Sequence, residues 1–333
     1  MQRGVIVVIV SLLLFASCGC KPKQENSDRA TISIIPKGTS HVYWKSIHAG
    51  ALKAALECDV TINWIGPEKE DDRQQQIALV DNQVMNQVSG IILAPIDNMA
   101  LRRPVRAAVS KGVPVVIIDS DLKDSQDVYT SYIATDNHRG GEIAAQQMAA
   151  QLQNKGWVIA LREAEGAAST EMRVNGFLAA LASVDGITVV SADQYVGVTK
   201  AQAQQAAENL LLRFANDQGG LKIQGIFCPN ESTTYGMLQA LRRKRLTGKV
   251  VFIGFDCSEP LLVGLRQGEI NGLVVQDPFK MGYLSVKTMV SHLKGDTVIK
   301  MIDTGVSFVT QANLEQPEIQ ALVYPDLQQW LGD

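Results

Sequence analysis

Residues 90–119, GIILAPIDNMALRRPVRAAVSKGVPVVIID, decide the fold class. Two short and unbroken apolar runs, 90–94 and 115–119, flank a stretch with helical periodicity at 99–111. Apolar runs that do not alternate with polar residues are typical of strands buried on both faces, as in a parallel sheet covered by helices. The segment therefore predicts a strand–helix–strand unit of an α/β protein.

The same alternation occupies the chain from residue 30 onwards. Helical segments lie between most of the predicted strands, and the pattern divides into two similar halves. This organisation predicts an α/β fold of two doubly wound parallel-sheet lobes. The predicted strands are 31–35, 60–65, 90–94, 115–119, 132–135, 158–162, 187–192, 223–228, 250–256, 272–276 and 306–309.

A three-segment hinge is expected to join the two lobes. The N-terminal lobe is predicted to hold residues 30–135 plus 277–305, and the C-terminal lobe residues 136–276 plus 306–333. The chain is expected to cross between lobes near 135–137, at 256–258 or slightly beyond, and near 305–308. Such a hinge would let the lobes close on a ligand.

The N-terminus is typical of an exported lipoprotein. The apolar run 5–15 follows Arg3 and is too short to span a hydrocarbon core of roughly 30 Å, but it matches the apolar region of a signal peptide. Phe15-Ala16-Ser17-Cys18 resembles a bacterial lipobox, which implies cleavage after residue 17 and lipidation of Cys18; Cys20 is the alternative. Residues 18–29 read as a polar tether, so the mature protein is expected at the cell surface or in the periplasm, anchored to a membrane.

Composition and motifs exclude several classes of function. The net charge of −3 gives no basic footprint for nucleic acid. No dinucleotide, phosphate-loop, zinc-protease or serine-hydrolase motif is present, and the four histidines are scattered, so no catalytic residue, cofactor or metal site is predicted. Cys228 and Cys257 end successive predicted strands; a disulfide between them and two buried free thiols both remain open.

Polar side chains follow most of the predicted strands, where ligands of doubly wound sheets bind. Amides, hydroxyls and carboxylates dominate these positions, and such a set suits a polyhydroxylated molecule. The strand ends are the loop after Pro36, Pro95-Ile96-Asp97, Asp119-Ser120-Asp121, Thr135-Asp136-Asn137, Cys228-Pro229-Asn230, Phe255-Asp256-Cys257 and Gln276-Asp277-Pro278.

Seven short sequence segments occur in an order and with a spacing that indicate a known family. They are 37–51 (KGTSHVYWKSIHAGA), Ile118-Asp119, 133–137 (IATDN) with Gly140-Gly141, Met172-Arg173 before Gly176-Phe177, 227–230 (FCPN), 254–256 (GFD) and 275–278 (VQDP). Together they resemble the type 1 periplasmic binding proteins of the ribose-binding kind, which are the solute-binding components of sugar ABC transporters. The resemblance covers essentially the whole chain after residue 30.

The resemblance implies a set of ligand-binding residues. Tyr43 and Trp44 would stack on a sugar ring, or else form a hydrophobic staple. Asp119 and Asp256 would accept hydrogen bonds from hydroxyls, or else cap helices. His41 takes the place of a ligand-binding amide, and Ser120 stands where the family usually has an arginine. Arg173 would donate to sugar oxygens, or else is a surface arginine, and Tyr195 would form a second aromatic wall. The amides that can both donate and accept hydrogen bonds are Asn137, Asn230 and Gln276.

The resemblance also implies the function. We expect a monomeric binding protein that captures a small polar ligand, a monosaccharide or similar polyol, and delivers it to an ABC permease. Because Ser120 and His41 depart from the ribose-binding pattern, ribose itself is in doubt. The alternatives are a sensor that presents its closed form to a membrane receptor and, more remotely, an enzyme in which Asp119 and Asp256 act as an acid/base pair.

Overall fold

The computed structural model describes residues 29–332. In chain order the elements are β1 (Thr31–Ile35), α1 (Val42–Cys58), β2 (Thr61–Trp64), α2 (Arg73–Met85), β3 (Gly90–Leu93), α3 (Arg102–Ser110), β4 (Val115–Ile118), β5 (Ser131–Ala134), α4 (Asn137–Gln151), β6 (Gly156–Arg162), α5 (Ala168–Leu181), β7 (Ile187–Tyr195), α6 (Lys200–Arg213), β8 (Gly225–Phe227), α7 (Glu231–Arg243), β9 (Val251–Phe255), α8 (Glu259–Arg266), β10 (Gly272–Gln276), α9 (Pro278–Leu293), β11 (Met301–Asp303), β12 (Val306–Val309), α10 (Pro317–Val323) and α11 (Gln328–Leu331).

The first six-stranded sheet has the order β11-β5-β4-β3-β1-β2, and its pairs are all parallel. Its central strands are fully buried because helices cover both faces. One apolar cluster, centred on Trp44 and Met289, packs on one face, and a second, centred on Leu101 and Tyr129, packs on the other. The predicted doubly wound lobe is confirmed.

The second sheet repeats this architecture in the order β12-β10-β9-β8-β6-β7. Its pairs are parallel except for β12, which runs antiparallel to β10 at the sheet edge. The predicted doubly wound lobe is confirmed here too, with one antiparallel strand at its edge, as is common in such sheets. β12 enters this sheet directly after β11 ends in the first sheet, with only two residues between the two strands.

The chain passes between the two sheets three times. It leaves the first sheet after β5, returns between β10 and α9, and leaves again between β11 and β12. The first and third passages agree with the expected 135–137 and 305–308. The second passage lies at 276–278, as the predicted lobe bounds have it, and not near the expected 256–258, since those residues join β9 to α8 within the second unit.

Glycines bring one helix pair in each unit into close contact. A Cβ atom on Gly141 of α4 would lie 1.9 Å from the carbonyl oxygen of Arg173 in α5. In the first unit, a Cβ atom on Gly50 of α1 would lie 1.9 Å from the carbonyl oxygen of Phe279 in α9. These contacts fix α4 on α5 and α1 on α9, and each pair begins beside a passage or the cleft.

Two further sequence questions are answered by the described residues. Within 29–332, no helix combines the length and the apolar character needed to cross a bilayer. Cys58, Cys228 and Cys257 are free thiols. Of the two alternatives for Cys228 and Cys257, the structure therefore shows free thiols and no disulfide between them. Cys18, Cys20, the signal peptide and nearly all of the tether lie outside the described residues.

Candidate functional site

A polar cavity opens between the carboxyl ends of the two sheets. About 410 Å³ in and around it is not filled by protein atoms, a figure that includes space open to solvent. Both units supply its walls. The lining residues are Lys37, His41, Tyr43, Trp44, Glu70, Asp119, Glu163, Ser169, Thr170, Arg173, Asn230, Glu231, Ser232, Asp256 and Gln276.

Asp119 and Asp256 occupy equivalent positions in the two units. Asp119 directly follows β4, and Asp256 directly follows β9. Both have left-handed backbone conformations, with φ of +63° and +67°. This region costs energy for most side chains but is tolerated by Asp and Asn, and strain of this kind concentrates at functional sites. The turn directs each carboxylate into the cavity instead of along its strand.

Asp119 forms an ion pair with Lys37, whereas the ribose-binding pattern has an arginine directly after this aspartate. The Nζ atom of Lys37 lies 2.6 Å from Oδ2 of Asp119 and donates to Oγ of Ser120, also at 2.6 Å. The cation beside it lowers the pKa of Asp119 despite burial. Ser120 itself lies behind the cavity wall. Lys37 follows β1, so the charge missing at position 120 is supplied from another strand end.

Tyr43 and Gln276 link the two aspartates across the cavity. The Tyr43 hydroxyl donates to Oδ1 of Asp119 at 2.8 Å and lies 3.4 Å from Oε1 of Gln276. The Gln276 amide in turn donates to Oδ1 of Asp256 at 2.7 Å, and the backbone N–H of Glu231 donates to Oδ2 of Asp256 at 3.1 Å. Burial raises the pKa of Asp256 to about 6.

The Trp44 and His41 side chains both contact carboxylates. Trp44 is 2% exposed, and its indole N–H donates to Oε1 of Glu70 at 2.8 Å. His41 Nδ1 lies 3.1 Å from Oε2 of Glu231, and its Nε2 lies 3.8 Å from Glu70. The bond to Glu231 raises the pKa of His41, and the attraction of His41 and Lys200 brings the pKa of Glu231 to about 2. Because Glu231 belongs to α7 and His41 to the start of α1, this pair bridges the two units.

Arg173 lines the cavity and has one buried nitrogen without a hydrogen-bond partner in the described chain. It is 2% exposed; its Nε donates to Oδ1 of Asn137 at 2.8 Å and its Nη1 to the carbonyl of Pro229 at 2.9 Å. The guanidinium packs over the Phe255 ring at 3.9 Å. Its Nη2 has no hydrogen-bond partner within residues 29–332. The alternative of a surface arginine is therefore wrong. Asn137 lies behind Arg173 and orients it, instead of lining the cavity.

Asn230 and Glu163 form a buried polar pair. The oxygen of Asn230 caps α7, accepting from the backbone N–H of Thr233 at 3.1 Å, while its amide donates to Oε1 of Glu163 at 2.5 Å. Glu163 is 6% exposed, and burial raises its pKa to about 7. The Asn230 side chain thus donates a hydrogen bond to a carboxylate and caps a helix at the cavity wall.

Tyr195 lies away from the residues that line the cavity. Tyr195 is 48% exposed at the end of β7, and its hydroxyl lies 3.4 Å from Glu171. It is absent from the cavity lining because β7 is the edge strand of the second sheet, beyond β6. The predicted second aromatic wall is therefore not found at Tyr195.

Several lining residues escaped the sequence analysis. Glu163 directly follows β6, so the strand-end criterion reaches it, but that strand end was not considered. Lys37 belongs to the strand-end loop after Pro36, but it was not singled out as a ligand-binding residue. Glu70, Ser169 and Glu231 lie in a loop or at helix starts, where sequence carries no signal of which way a side chain points.

The two units touch each other around the cavity. Oγ of Ser120 lies 2.9 Å from Oγ of Ser169, and the backbone N–H of Asn98 donates to the carbonyl of Gly166 at 3.0 Å. Arg73 donates to the carbonyl of Glu165 at 3.1 Å. These contacts, here called the seam, close one side of the cavity. The structure therefore has the units in a closed arrangement.

The chemistry of the site is recognition by hydrogen bonds. Hydroxyl, amide, carboxylate and guanidinium groups surround a space with little apolar lining beyond Tyr43 and Trp44. Within the described part of the chain, no group of three or more His, Cys, Asp or Glu side chains is arranged to hold a metal ion.

Comparisons with known proteins agree with this geometry. Residues 32–297 match the periplasmic binding protein domain family. The ribose import binding protein of Bacillus subtilis (strain 168) is 28% identical over 321 residues, or 93% of this chain and 100% of that protein. The D-allose-binding periplasmic protein of Escherichia coli (strain K12) is 28% identical over 278 residues, or 82% of this chain and 87% of that protein.

A solved structure extends the likeness to three dimensions. A carbohydrate transporter solute binding protein from Agrobacterium radiobacter, in complex with D-arabinose, has a TM-score of 0.84 and 34% identity; the match covers 90% of this chain and 100% of that one. These findings confirm the resemblance to the ribose-binding kind that the seven segments indicated. The chain belongs to the periplasmic binding protein domain family.

Proposed function

We propose that this protein is an extracytoplasmic solute-binding protein that captures a monosaccharide between its two lobes and delivers it to an ABC permease. The observation that carries the proposal is the cavity at the junction of the two sheets, where Asp119, Asp256 and the unsatisfied Nη2 of Arg173 converge. Relatives named for ribose and D-allose, and a similar structure holding D-arabinose, support a sugar as the ligand.

The working motion is closure about the three passages between the sheets. The lobes would be residues 30–135 plus 277–305 and residues 136–276 plus 306–333, and the closed form would be the one that docks on the permease. A ligand drives closure only if it binds the closed form more tightly than the open one. The bridges His41–Glu231 and Tyr43–Gln276 tie the lobes beside the cavity, so a sugar bound there would contact both lobes at once.

The test is a binding screen of the purified chain from residue 29 onwards. Thermal-shift assays against aldopentoses, aldohexoses, 2-amino-2-deoxy hexoses and polyols should reveal at least one monosaccharide that stabilises the protein. Calorimetry should then give one site per chain, and the sugar should be recovered unchanged, since we propose a monomeric binding protein and no enzyme. If no monosaccharide binds, or if one is converted, the proposal is wrong.

Two matched aspartate variants locate the site. Asp119→Asn should weaken sugar binding by about tenfold or more, because it removes a charged acceptor while keeping a side chain that tolerates positive φ. The control is Asp124→Asn, which also lies at positive φ but outside the cavity lining. Equal affinities for the two variants would exclude Asp119 from the site.

A lipid anchor at Cys18 is the second part of the proposal. It is supported by the signal-peptide pattern and the lipobox-like string, both within residues 1–28. Expressed from the full sequence, Cys18→Ala should move the protein from the membrane fraction to the soluble exported fraction, while Cys20→Ala should remain anchored. Retention of the Cys18→Ala protein on membranes would contradict this assignment.

A further inference from the structure

Carboxylates outnumber cations around the cavity. Lys37 and Arg173 are the lining side chains with a permanent positive charge, and His41 adds a third when it is protonated. A neutral sugar needs acceptors, but a surplus of buried negative charge is costly unless something compensates it. The five lining carboxylates belong to Glu70, Asp119, Glu163, Glu231 and Asp256.

Two of the five carboxylates have close partners of opposite charge, and Glu70 has a longer contact, at 3.8 Å, with Nε2 of His41. Asp119 pairs with Lys37 at 2.6 Å, and Glu231 pairs with Lys200 at 2.7 Å and with His41 at 3.1 Å. Among residues 29–332, no lysine or arginine nitrogen lies within 4.0 Å of the carboxylate oxygens of Glu70, Glu163 or Asp256. Among the described residues, Glu163 and Asp256 therefore lack a cationic partner within 4.0 Å, and the partner of Glu70 is a histidine that is charged only when protonated.

Glu70 and Glu163 lie on the same side of the cavity. Both also line the small cleft beside it, together with Lys37. Burial and the repulsion from Glu70 raise the pKa of Glu163, whereas Lys37 and Arg173 act in the opposite direction. Lys37 is already in contact with Asp119, so it does not serve Glu163 directly. A positive charge placed between Glu70 and Glu163 would relieve both.

A second observation concerns Arg173, which also lines the cavity. Nη2 of Arg173 is a buried donor without a partner in the described chain, and the side chain lines the cavity. Leaving such a donor unsatisfied costs about 1–3 kcal/mol, so the bound ligand is expected to place an oxygen there. The site is therefore suited to a ligand that has an acceptor oxygen near Arg173 and a positive charge near Glu163.

We propose that the preferred ligand is an amino sugar, whose ammonium group binds between Glu163 and Glu70 and whose hydroxyl or ring oxygen accepts from Arg173. This inference rests on the proposed function and narrows its ligand class. A free α-amino acid fits less well, because its carboxylate would approach Arg173 beside the negative charges of Asp119 and Asp256.

The test compares amino sugars with their neutral parents on the same protein. D-Glucosamine, D-galactosamine and D-mannosamine are each titrated beside D-glucose, D-galactose and D-mannose near pH 7, using calorimetry. At least one amine should bind about tenfold or more tightly than its parent. Glu163→Gln should then reduce the affinity for the amine by about tenfold more than it reduces the affinity for the neutral parent. Glu68→Gln, an exposed control on the loop before Glu70, should leave both unchanged.

The outcomes separate this inference from the proposed function. If neutral sugars bind as tightly as their amines, or if Glu163→Gln weakens both equally, the amino-sugar inference is overturned while sugar binding stands. If α-amino acids bind and sugars do not, both proposals are wrong. Glu70→Gln supplies a second variant with the same expected selectivity, so the inference is tested even if Glu163→Gln does not fold.

Discussion

At the scale of single residues, the cavity keeps carboxylates in surroundings that disfavour their charge. The pKa of Glu163 is raised to about 7 and that of Asp256 to about 6, in both cases mainly because burial removes water. The ordinary values are 4.5 and 3.8. Between the ordinary and raised values the folded chain holds protons that the unfolded chain has released.

This difference predicts how the stability of the ligand-free protein depends on pH. Because the raised pKa values mean that the folded state binds more protons, the free energy of unfolding should fall as pH rises from about 5 to about 8. The raised pKa of His41 acts with the same sign, since its charged form is favoured in the folded state. Glu163→Gln should reduce the fall by roughly 2 kcal/mol, which urea denaturation at several pH values measures.

The matched control for this prediction is Glu68→Gln, which should keep the wild-type pH dependence because Glu68 is exposed. The slopes of wild type and Glu163→Gln should differ mostly above about pH 5, where Glu163 begins to ionise in the unfolded chain. Identical slopes for the two proteins would show that Glu163 is not held in a buried, uncompensated position.

Residues that directly follow strands could be located from the sequence, whereas residues whose side-chain direction depends on tertiary packing could not. Asp119, Asp256 and Gln276 could be predicted because buried strands are visible as apolar runs, and parallel strands end at one edge of a sheet. Glu70 reaches the cavity only because the Trp44 indole holds it, and no local pattern encodes that contact. Tyr195 was predicted in the cavity because the edge position of its strand cannot be read from its sequence.

At the scale of elements, helix pairs are held at close range by glycine. Gly141 and Gly50 each face a carbonyl oxygen of the partner helix, so any side chain would force the helices apart. Because Arg173 belongs to α5, the position of α5 on α4 also sets the position of its guanidinium beside Asn137. The helix contact and the binding geometry are therefore coupled.

We expect Gly141→Ala to destabilise the protein by at least about 2 kcal/mol, since the new methyl group would overlap backbone that cannot rotate away. Gly264→Ala is the control within another helix: its Cβ would lie 3.1 Å from the flexible end of Leu238. That substitution should change stability by no more than about 1 kcal/mol, because the gain in helix propensity offsets mild crowding. Chemical denaturation measures both, and similar losses would contradict the proposed role of the close helix contact.

Elements were predictable where burial leaves a clear pattern. Strands such as β1 and β10 are continuous apolar runs, and their bounds were predicted without error. The short strand β11 was missed because Met301 and Asp303 are exposed at the sheet edge, so the segment has no buried run. The helices α10 and α11 were also missed; they are short and follow the last predicted strand.

At the scale of the whole molecule, closure depends on the seam. A Cβ atom on Gly166 would lie 2.7 Å from Oδ2 of Asp97 in the opposite lobe. Asp97 cannot move aside easily, because its other oxygen accepts from the backbone N–H groups of Met99 and Ala100, and Arg73 pairs with Oδ2 at 3.0 Å. The seam therefore leaves no room for a side chain at residue 166.

Gly166→Ala should consequently impair closure and weaken sugar binding by about tenfold. The variant also introduces a side chain at φ +85°, which by itself costs about 1–2 kcal/mol of stability. Gly219→Ala is the matched control, since Gly219 has φ +77° and open space around its Cβ position. Both variants should lose similar stability, but Gly219→Ala should bind the sugar normally. Equal affinities, measured by calorimetry, would show that the seam plays no part in closure.

The central claim is that a monosaccharide binds between the lobes in the cavity that Asp119, Asp256 and Arg173 line. A crystal structure of the protein with the tightest-binding sugar from the screen tests it most directly. We expect one sugar per chain in this cavity, with an oxygen accepting from Nη2 of Arg173 and with contacts from both lobes. A sugar bound elsewhere on the chain, with Nη2 of Arg173 still lacking a partner, would contradict it.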